Sequence, residues 1–276
     1  MVKRIVTGAT YALFVAVFFW IRQVDYRLFA LLIYLYAIVG TFEIARALNP
    51  YLIEGNYNTL TLFGIMIVPL FCIFEYVVEK GAGGAVITVA LLLALGYGIA
   101  CKVQGKNNDI VGANMLGYFY PAIPMVALLL CNDLGYDKGF IALLIPFITS
   151  ALTDTCAFFV GSLIGGKKLC PKLSPKKTWS GAVGGVIGGV IGALLIYFIF
   201  NDRIHLAVDN TLVLFIIIGI VSSILTIIGD LFESSIKRKV GIKDMGNILP
   251  GHGGVLDRID GMSFVSVFVY VLFLFI

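Results

Sequence analysis

Nine long, continuously apolar stretches dominate the sequence. Each approaches the roughly 20 apolar residues that a helix needs to cross a bilayer, and none alternates like a barrel strand. With 60% hydrophobic and 13% charged residues, the chain has more apolar side chain than a water-soluble core can bury. We therefore predict an all-α polytopic integral membrane protein with about nine transmembrane helices. The predicted spans are 5–21, 28–48, 59–78, 82–101, 111–131, 139–164, 180–200, 211–232 and 259–276.

The basic residues predict the orientation of these spans. Lys and Arg are enriched in the cytoplasmic loops of membrane proteins. With nine spans, 15 of the 20 Lys and Arg residues fall on the side of the N-terminus and 5 on the other side. We therefore expect a cytoplasmic N-terminus. Lys3 and Arg4 precede a first span without a cleavage pattern, so we expect that span to be retained, and the short N-terminus favours a bacterial inner membrane.

No polar stretch is long enough to form a soluble domain. The longest, 230–258, is too short for an independent core. We expect two regions: 1–135 with about five spans, and 136–276, a catalytic transmembrane region that carries the polar motifs on the cytoplasmic face. Any chemistry must then be built from helix ends and short loops.

The first polar segment, 167–180, places five lysines within eleven residues. Contact with anionic lipid would explain the lysines alone. Pro171 and Pro175 prevent a regular helix, and with the hydroxyl residues they favour a fixed loop that binds polyphosphate. The candidate phosphate-binding residues are Ser174, Lys176, Lys177 and Thr178.

The second polar segment, 230–260, combines carboxylates, basic residues and a glycine-rich turn. On a helix that continues past span eight, Asp230, Ser234 and Lys237 share one stripe. Carboxylates without clustered His or Cys suit a hard cation such as Mg²⁺, and basic neighbours suit a metal-bound phosphate. The alternative is a set of helix-end salt bridges with capping by Asp257. The candidate residues are Asp230, Lys237, Arg238, Lys243, Asp244, His252, Gly253, Gly254, Asp257, Arg258 and Asp260.

Asp154 lies inside span six, about three turns before Lys167. An ionisable residue within a span is costly and usually faces a bundle interior or a polar cavity. We therefore add Asp154 to the candidate site, with a satisfied packing residue as the alternative.

These motifs resemble those of the phosphatidate cytidylyltransferase (CDP-diacylglycerol synthase) family. The resemblance covers about 150–261, while the first half is similar only in its hydrophobic spans. Cys156, Phe158 and Gly261 depart from the family pattern without touching a charged motif position. The matching residues are Asp154, Ser174 to Thr178, Ser235, Lys237, Arg238, Lys243, Asp244, Pro250 to Gly254, Asp257, Arg258 and Asp260.

The resemblance implies a reaction in which CTP and phosphatidic acid give CDP-diacylglycerol and pyrophosphate. It implies a Mg²⁺-dependent homodimer, with Asp230 and Asp257 as metal ligands and room for a second cation. The basic residues would neutralise phosphates, and His252 with the glycine turn would hold pyrophosphate. The partners would be the two substrates and the bilayer, with no nucleic acid.

Two other functions stay open. A related transferase could use another phosphorylated lipid as acceptor, because the motif spacing does not identify the acceptor. A transporter or channel would suit Asp154, although transporters usually show internal repeats and midplane polar sites. The glycines of span seven, spaced in small-xxx-small pairs, suit either packing within the chain or a dimer contact.

Overall fold

The described part of the chain folds into ten α-helices and one β-hairpin. A computed structural model describes residues 2–53, 56–204, 206, 208–251 and 253–276. The helices are α1 (Val2–Ile21), α2 (Ala30–Leu48), α3 (Asn56–Ile73), α4 (Gly83–Val103), α5 (Asn108–Phe119), α6 (Ala122–Asn132), α7 (Tyr136–Ile164), α8 (Trp179–Ile199), α9 (Thr211–Lys239) and α10 (Leu256–Phe275). The strands are β1 (Lys168–Cys170) and β2 (Ser174–Thr178).

Most of these helices are long and apolar enough to cross a membrane. Eight candidate spans occur among the described residues, with mean hydropathies between 1.5 and 2.8. They confirm the prediction of an all-α polytopic membrane protein. The first predicted span, 5–21, lies in α1, whose described apolar portion Val6–Ile21 is shorter than these eight. The total of nine spans and the cytoplasmic N-terminus therefore stay predictions.

A break interrupts the fifth predicted span, 111–131. Two short helices, α5 and α6, replace the continuous helix expected there, with Tyr120 extended at φ −118° and ψ 127°. Pro121 explains the break, because proline has no N–H to donate and disfavours helical backbone at the preceding residue. The two helices together still form one candidate span, Asn108–Asn132.

The chain divides into two compact units. The first unit comprises Met1–Val126 and Asp244–Asp257, and the second comprises Ala127–Lys243 and Arg258–Ile276. The segment with the glycine-rich turn thus packs with the N-terminal helices, and α10 begins in the first unit and continues in the second. The division of the sequence into functional regions, 1–135 and 136–276, stays a prediction.

Glycines hold α8 against its neighbours in the second unit. A Cβ on Gly184 would lie 2.5 Å from Val160 Cβ, and one on Gly188 would lie 2.5 Å from the carbonyl oxygen of Leu152. Such contacts let helix backbones approach closely. Packing within the chain therefore accounts for this stripe. Its buried members are Gly181, Gly184, Gly185, Gly188, Gly189 and Gly192.

Buried hydroxyl pairs join α7 to α9 in the same unit. Ser150 Oγ and Thr226 Oγ1 are 3.0 Å apart, and Thr153 Oγ1 donates to Ser223 Oγ over 3.1 Å. Each hydroxyl is satisfied by another, as burial in an apolar bundle requires. These pairs fix the part of α7 that carries Asp154.

The lysine-rich segment forms a hairpin, where the sequence predicted an irregular loop. β1 and β2 pair antiparallel, with Lys168 opposite Thr178 and Cys170 opposite Ser174. The Thr178 hydroxyl accepts the N–H of Gly181 over 3.1 Å and so caps α8. The hairpin is consequently tied to the start of a candidate span.

Candidate active site

An ion pair joins the lysine hairpin to the C-terminal third of α9. Lys177 Nζ lies 2.6 Å from Asp230 Oδ2, and the side chains are 24% and 28% exposed. Ser234 Oγ donates to Asp230 Oδ1 over 3.3 Å, which confirms that α9 continues and places these residues on one stripe. Because both charged groups are partly exposed, a ligand from water can reach them.

Lys237 occupies a more protected position about two turns beyond Asp230 along α9. It is buried, and its ammonium donates to Glu233 Oε1 over 3.0 Å. Glu233 is fully buried and was missed from the sequence, although its i, i+4 spacing from Lys237 is the usual signature of a helical ion pair. Lys237 therefore brings its charge to the site already paired with a carboxylate.

The remaining basic candidates of the second unit lie at its surface. Arg238 is exposed and donates to the carbonyl oxygens of Leu173 and Ile242, each over 3.3 Å. The contact with Leu173 places the guanidinium beside the hairpin turn. Lys176 and Lys243 are also exposed, so water-borne phosphate can reach all three basic side chains.

Four acidic residues share one region of the second unit. Asp260 interacts electrostatically with Glu233, Asp230 and Asp154. Asp154 interacts with Asp230, Lys177 and Arg258. The Asp154 side chain is exposed, while Asp260 is buried and accepts the N–H of Gly261 over 2.7 Å. Carboxylates gathered in this way repel one another, so the region favours a bound cation.

Close packing of α9 against α10 brings Asp260 to this region. A Cβ on Gly229 would lie 2.6 Å from the carbonyl oxygen of Asp260. Glycine at 229 therefore allows the end of α9 to approach the backbone of α10. A larger residue there would separate Asp230 from Asp260.

In the first unit, Asp257 organises the glycine-rich segment. Its Oδ2 accepts the N–H groups of Met245 and Gly254, each over 2.8 Å. Gly253 has φ +83°, a left-handed conformation that favours glycine, and a Cβ there would lie 2.7 Å from Asp257 Oδ2. Asp257 thus holds the backbone that precedes α10, and neither of these two donors belongs to that helix. Asp244 is exposed, and His252 lies outside the described residues.

Glu43 of α2 holds the same segment from the other side. Its Oε1 accepts the N–H of Val255 over 3.1 Å and its Oε2 accepts the N–H of Leu256 over 2.8 Å. These N–H groups open α10 and have no partner within their own helix. Arg46, one turn along α2, donates to the carbonyl oxygen of Met245 over 2.8 Å.

Glu43 was missed from the sequence, although a signal was present. It is the one acidic residue of the predicted span 28–48, and an ionisable residue inside a span is a functional candidate by default. The structure shows it fully satisfied and buried at 3% exposure. Glu43 and Asp257 accept N–H groups of consecutive residues, Gly254 to Leu256.

Comparison with known proteins identifies the family. The sequence model that describes the cytidylyltransferase family matches residues 2–276. The phosphatidate cytidylyltransferase of Bacillus subtilis is 32% identical over 275 residues, which cover 99% of this chain and 97% of that protein. The chain belongs to the cytidylyltransferase family.

Two further phosphatidate cytidylyltransferases agree with this assignment. The protein of Haemophilus influenzae is 38% identical over 193 residues, covering 68% of this chain and 65% of that protein. The protein of Rickettsia conorii is 32% identical over 219 residues, covering 79% of this chain and 92% of that protein. Membership of the cytidylyltransferase family confirms the resemblance seen in the motifs.

Within this family member, the structure sorts the predicted site residues into two groups. One belongs to the second unit and shares contacts or electrostatic interactions: Asp154, Lys177, Asp230, Lys237, Arg258 and Asp260. The other belongs to the first unit and surrounds the glycine turn: Asp244, Gly253, Gly254 and Asp257. Ser174 and Thr178 border the hairpin strand β2, and the hydroxyl of Thr178 has the capping contact described above.

Proposed function

We propose that this family member transfers CMP from CTP to phosphatidic acid, giving CDP-diacylglycerol and pyrophosphate. The relatives' shared name supports the substrates. The observation that carries the proposal is the ion pair between Lys177 and Asp230, because it joins a lysine-rich hairpin to a helix segment that carries carboxylates. The lysine of the hairpin to which we assign a phosphate and the carboxylate to which we assign a cation are thereby in direct contact.

The carboxylates of the second unit fit Mg²⁺. Asp230, with Asp154 and Asp260 in electrostatic contact, provides the hard oxygen donors that this ion prefers. Among the described residues, no three His, Cys, Asp or Glu side chains form a complete metal site. Magnesium needs only one or two protein carboxylates beside substrate phosphates. We propose Asp230 and, from the motif, Asp257 as its ligands. The further carboxylates of the second unit leave room for a second cation.

Magnesium held by these carboxylates would neutralise phosphate charge and help to orient the reacting phosphates. The phosphate oxygen of the lipid attacks the α-phosphorus of CTP, the bond to the β-phosphate breaks, and pyrophosphate leaves. The attacking oxygen is already an anion at pH 7, so the reaction needs no strong general base. Catalysis then rests on positioning and charge neutralisation.

The chain's own basic residues supply much of that neutralisation. We assign Lys176, Lys177 and Arg238 to phosphate oxygens, because all three are reachable from water. Lys237, paired with Glu233, positions the end of α9 and adds charge to the site. His252, Gly253 and Gly254 are proposed to contact pyrophosphate. CTP is cytosolic, so the proposal places this site on the cytoplasmic side of a bacterial membrane, and a homodimer stays a prediction.

The direct test uses purified protein in detergent with CTP, Mg²⁺ and dioleoyl phosphatidic acid. We expect pyrophosphate release together with CDP-dioleoylglycerol, and neither product without the lipid. A parallel reaction with a polyprenyl phosphate tests the related transferase. Activity with the polyprenyl phosphate alone contradicts phosphatidic acid as the acceptor. If neither lipid leads to pyrophosphate release, the protein is not this enzyme, and the transporter or channel is the alternative.

Replacing Lys177 with alanine tests the role of the hairpin. We expect the KM for CTP to rise about tenfold, or about 1.4 kcal/mol, which is the size of one hydrogen bond to a charged group. Steady-state kinetics with varied CTP measure the change. The matched control is Lys172→Ala, an exposed lysine of the hairpin turn without an assigned role. If KM and kcat both stay unchanged in Lys177→Ala, the hairpin is not part of the site.

A further inference from the structure

A cavity of about 480 Å³ opens between α1 and α2 in the first unit. This volume lies within the range of small-molecule sites, roughly 300–1,000 Å³. Its lining on α1 runs from Val6 to Phe14, a distance of about 12 Å at the helical rise of 1.5 Å per residue. On α2 the lining includes Leu35 and Val39. The cavity is therefore an elongated slot along two neighbouring helices.

The slot presents carbon rather than polar groups to a ligand. The hydroxyls of Tyr11 and Tyr36 bond each other over 2.9 Å. Thr10 Oγ1 donates to the carbonyl oxygen of Val6 over 2.9 Å, and Thr7 Oγ1 donates to that of Pro250 over 3.0 Å. Because these hydroxyls already have partners, the slot suits an apolar ligand.

Residues of the glycine-rich segment form part of the same wall. Leu249, Pro250 and Val255 line the slot. Val255 directly follows Gly254, whose N–H is bonded to Asp257, and its own N–H is bonded to Glu43. An apolar chain in the slot thus lies against the backbone that holds a predicted catalytic carboxylate.

We propose that this slot binds one fatty acyl chain of the phospholipid substrate. The inference rests on the proposed function, because an amphiphilic substrate needs an apolar site continuous with its phosphate site. The slot meets that need: its walls are apolar side chains of two helices, and one wall belongs to the motif itself. The slot therefore fixes the acyl chain and so positions the headgroup.

Filling the slot tests the proposal kinetically. We expect Val39→Trp to raise the KM for dioleoyl phosphatidic acid about tenfold, while the KM for CTP stays within twofold of wild type. For dihexanoyl phosphatidic acid, whose chains are too short to fill the slot, the same substitution should raise the KM much less. The matched control is Leu31→Trp, an exposed position on the same helix that does not line the slot. Equal KM values for the long-chain lipid in Val39→Trp and wild type overturn the proposal.

A second measurement does not depend on the folding of a variant. Wild-type protein is irradiated with phosphatidic acid that carries a diazirine in one acyl chain, and labelled peptides are identified by mass spectrometry. We expect labels on α1 and α2 around Tyr11 and Tyr36. An excess of unlabelled phosphatidic acid should reduce this labelling, and an excess of phosphatidylcholine should not. Equal displacement by both lipids overturns the proposal, because the slot then holds bulk lipid. If wild type forms no CDP-diacylglycerol, the proposed function fails first, so the two failures are distinct.

Discussion

Replacing Asp257 with asparagine is expected to lower kcat at least about 10³-fold, or about 4 kcal/mol of transition-state stabilisation. Asparagine is nearly isosteric, and its single oxygen can still accept the N–H groups that now reach Asp257 Oδ2 from Met245 and Gly254. The glycine-rich segment should therefore keep its conformation. What the variant loses is the negative charge that the proposed Mg²⁺ ligand needs.

The measurement is CDP-diacylglycerol formation from labelled CTP and phosphatidic acid, with elution volume and Tm recorded in the same detergent. Asp202→Asn, an exposed aspartate outside the polar segments, is the matched control and should behave as wild type. Turnover close to wild type in the Asp257 variant would contradict its assignment as a metal ligand and leave it only the role of holding the glycine-rich segment.

Replacing Glu43 with alanine is expected to reduce activity at least about a hundredfold and to lower the Tm. The change leaves the N–H groups of Val255 and Leu256 without their acceptors, and each such buried group costs roughly 1–3 kcal/mol. The start of α10 then loses its anchor on α2, and Asp257 moves with it. We therefore also expect a higher Mg²⁺ concentration for half-maximal activity.

The graded variant separates positioning from plain destabilisation. Glu43→Gln keeps one acceptor oxygen, so its activity and Mg²⁺ dependence should fall between those of wild type and Glu43→Ala. Glu79→Ala, an exposed glutamate of the same unit, is the matched control. A Glu43→Ala protein with reduced Tm but unchanged Mg²⁺ dependence would show that Glu43 supports the fold without positioning Asp257.

Several features were predictable because they depend on residues near one another in the chain. The continuation of α9 past its apolar part follows from good helix-forming residues up to Lys239, and the structure confirms it. The hairpin was not predicted, because its strands are short, β2 contains Pro175, and neither strand shows a clear alternation of apolar and polar residues.

Glu43 shows the opposite case. Its partners Val255 and Leu256 lie 212 and 213 residues away in the chain, and no local pattern connects them. The ion pair between Lys177 and Asp230 likewise depends on packing, because the sequence proposed a role for each residue without saying that they touch.

The sequence by itself determined that this is an integral membrane protein, which family motifs it carries and where its charged residues are concentrated. Those properties are sums over neighbouring residues: a span needs only a run of apolar side chains, and a motif only a fixed spacing. Which carboxylate holds which backbone, and which helices enclose an apolar slot, was decided by tertiary structure alone. Buried polar groups must find partners wherever packing brings them together, and in this chain packing joins segments from opposite ends of the sequence.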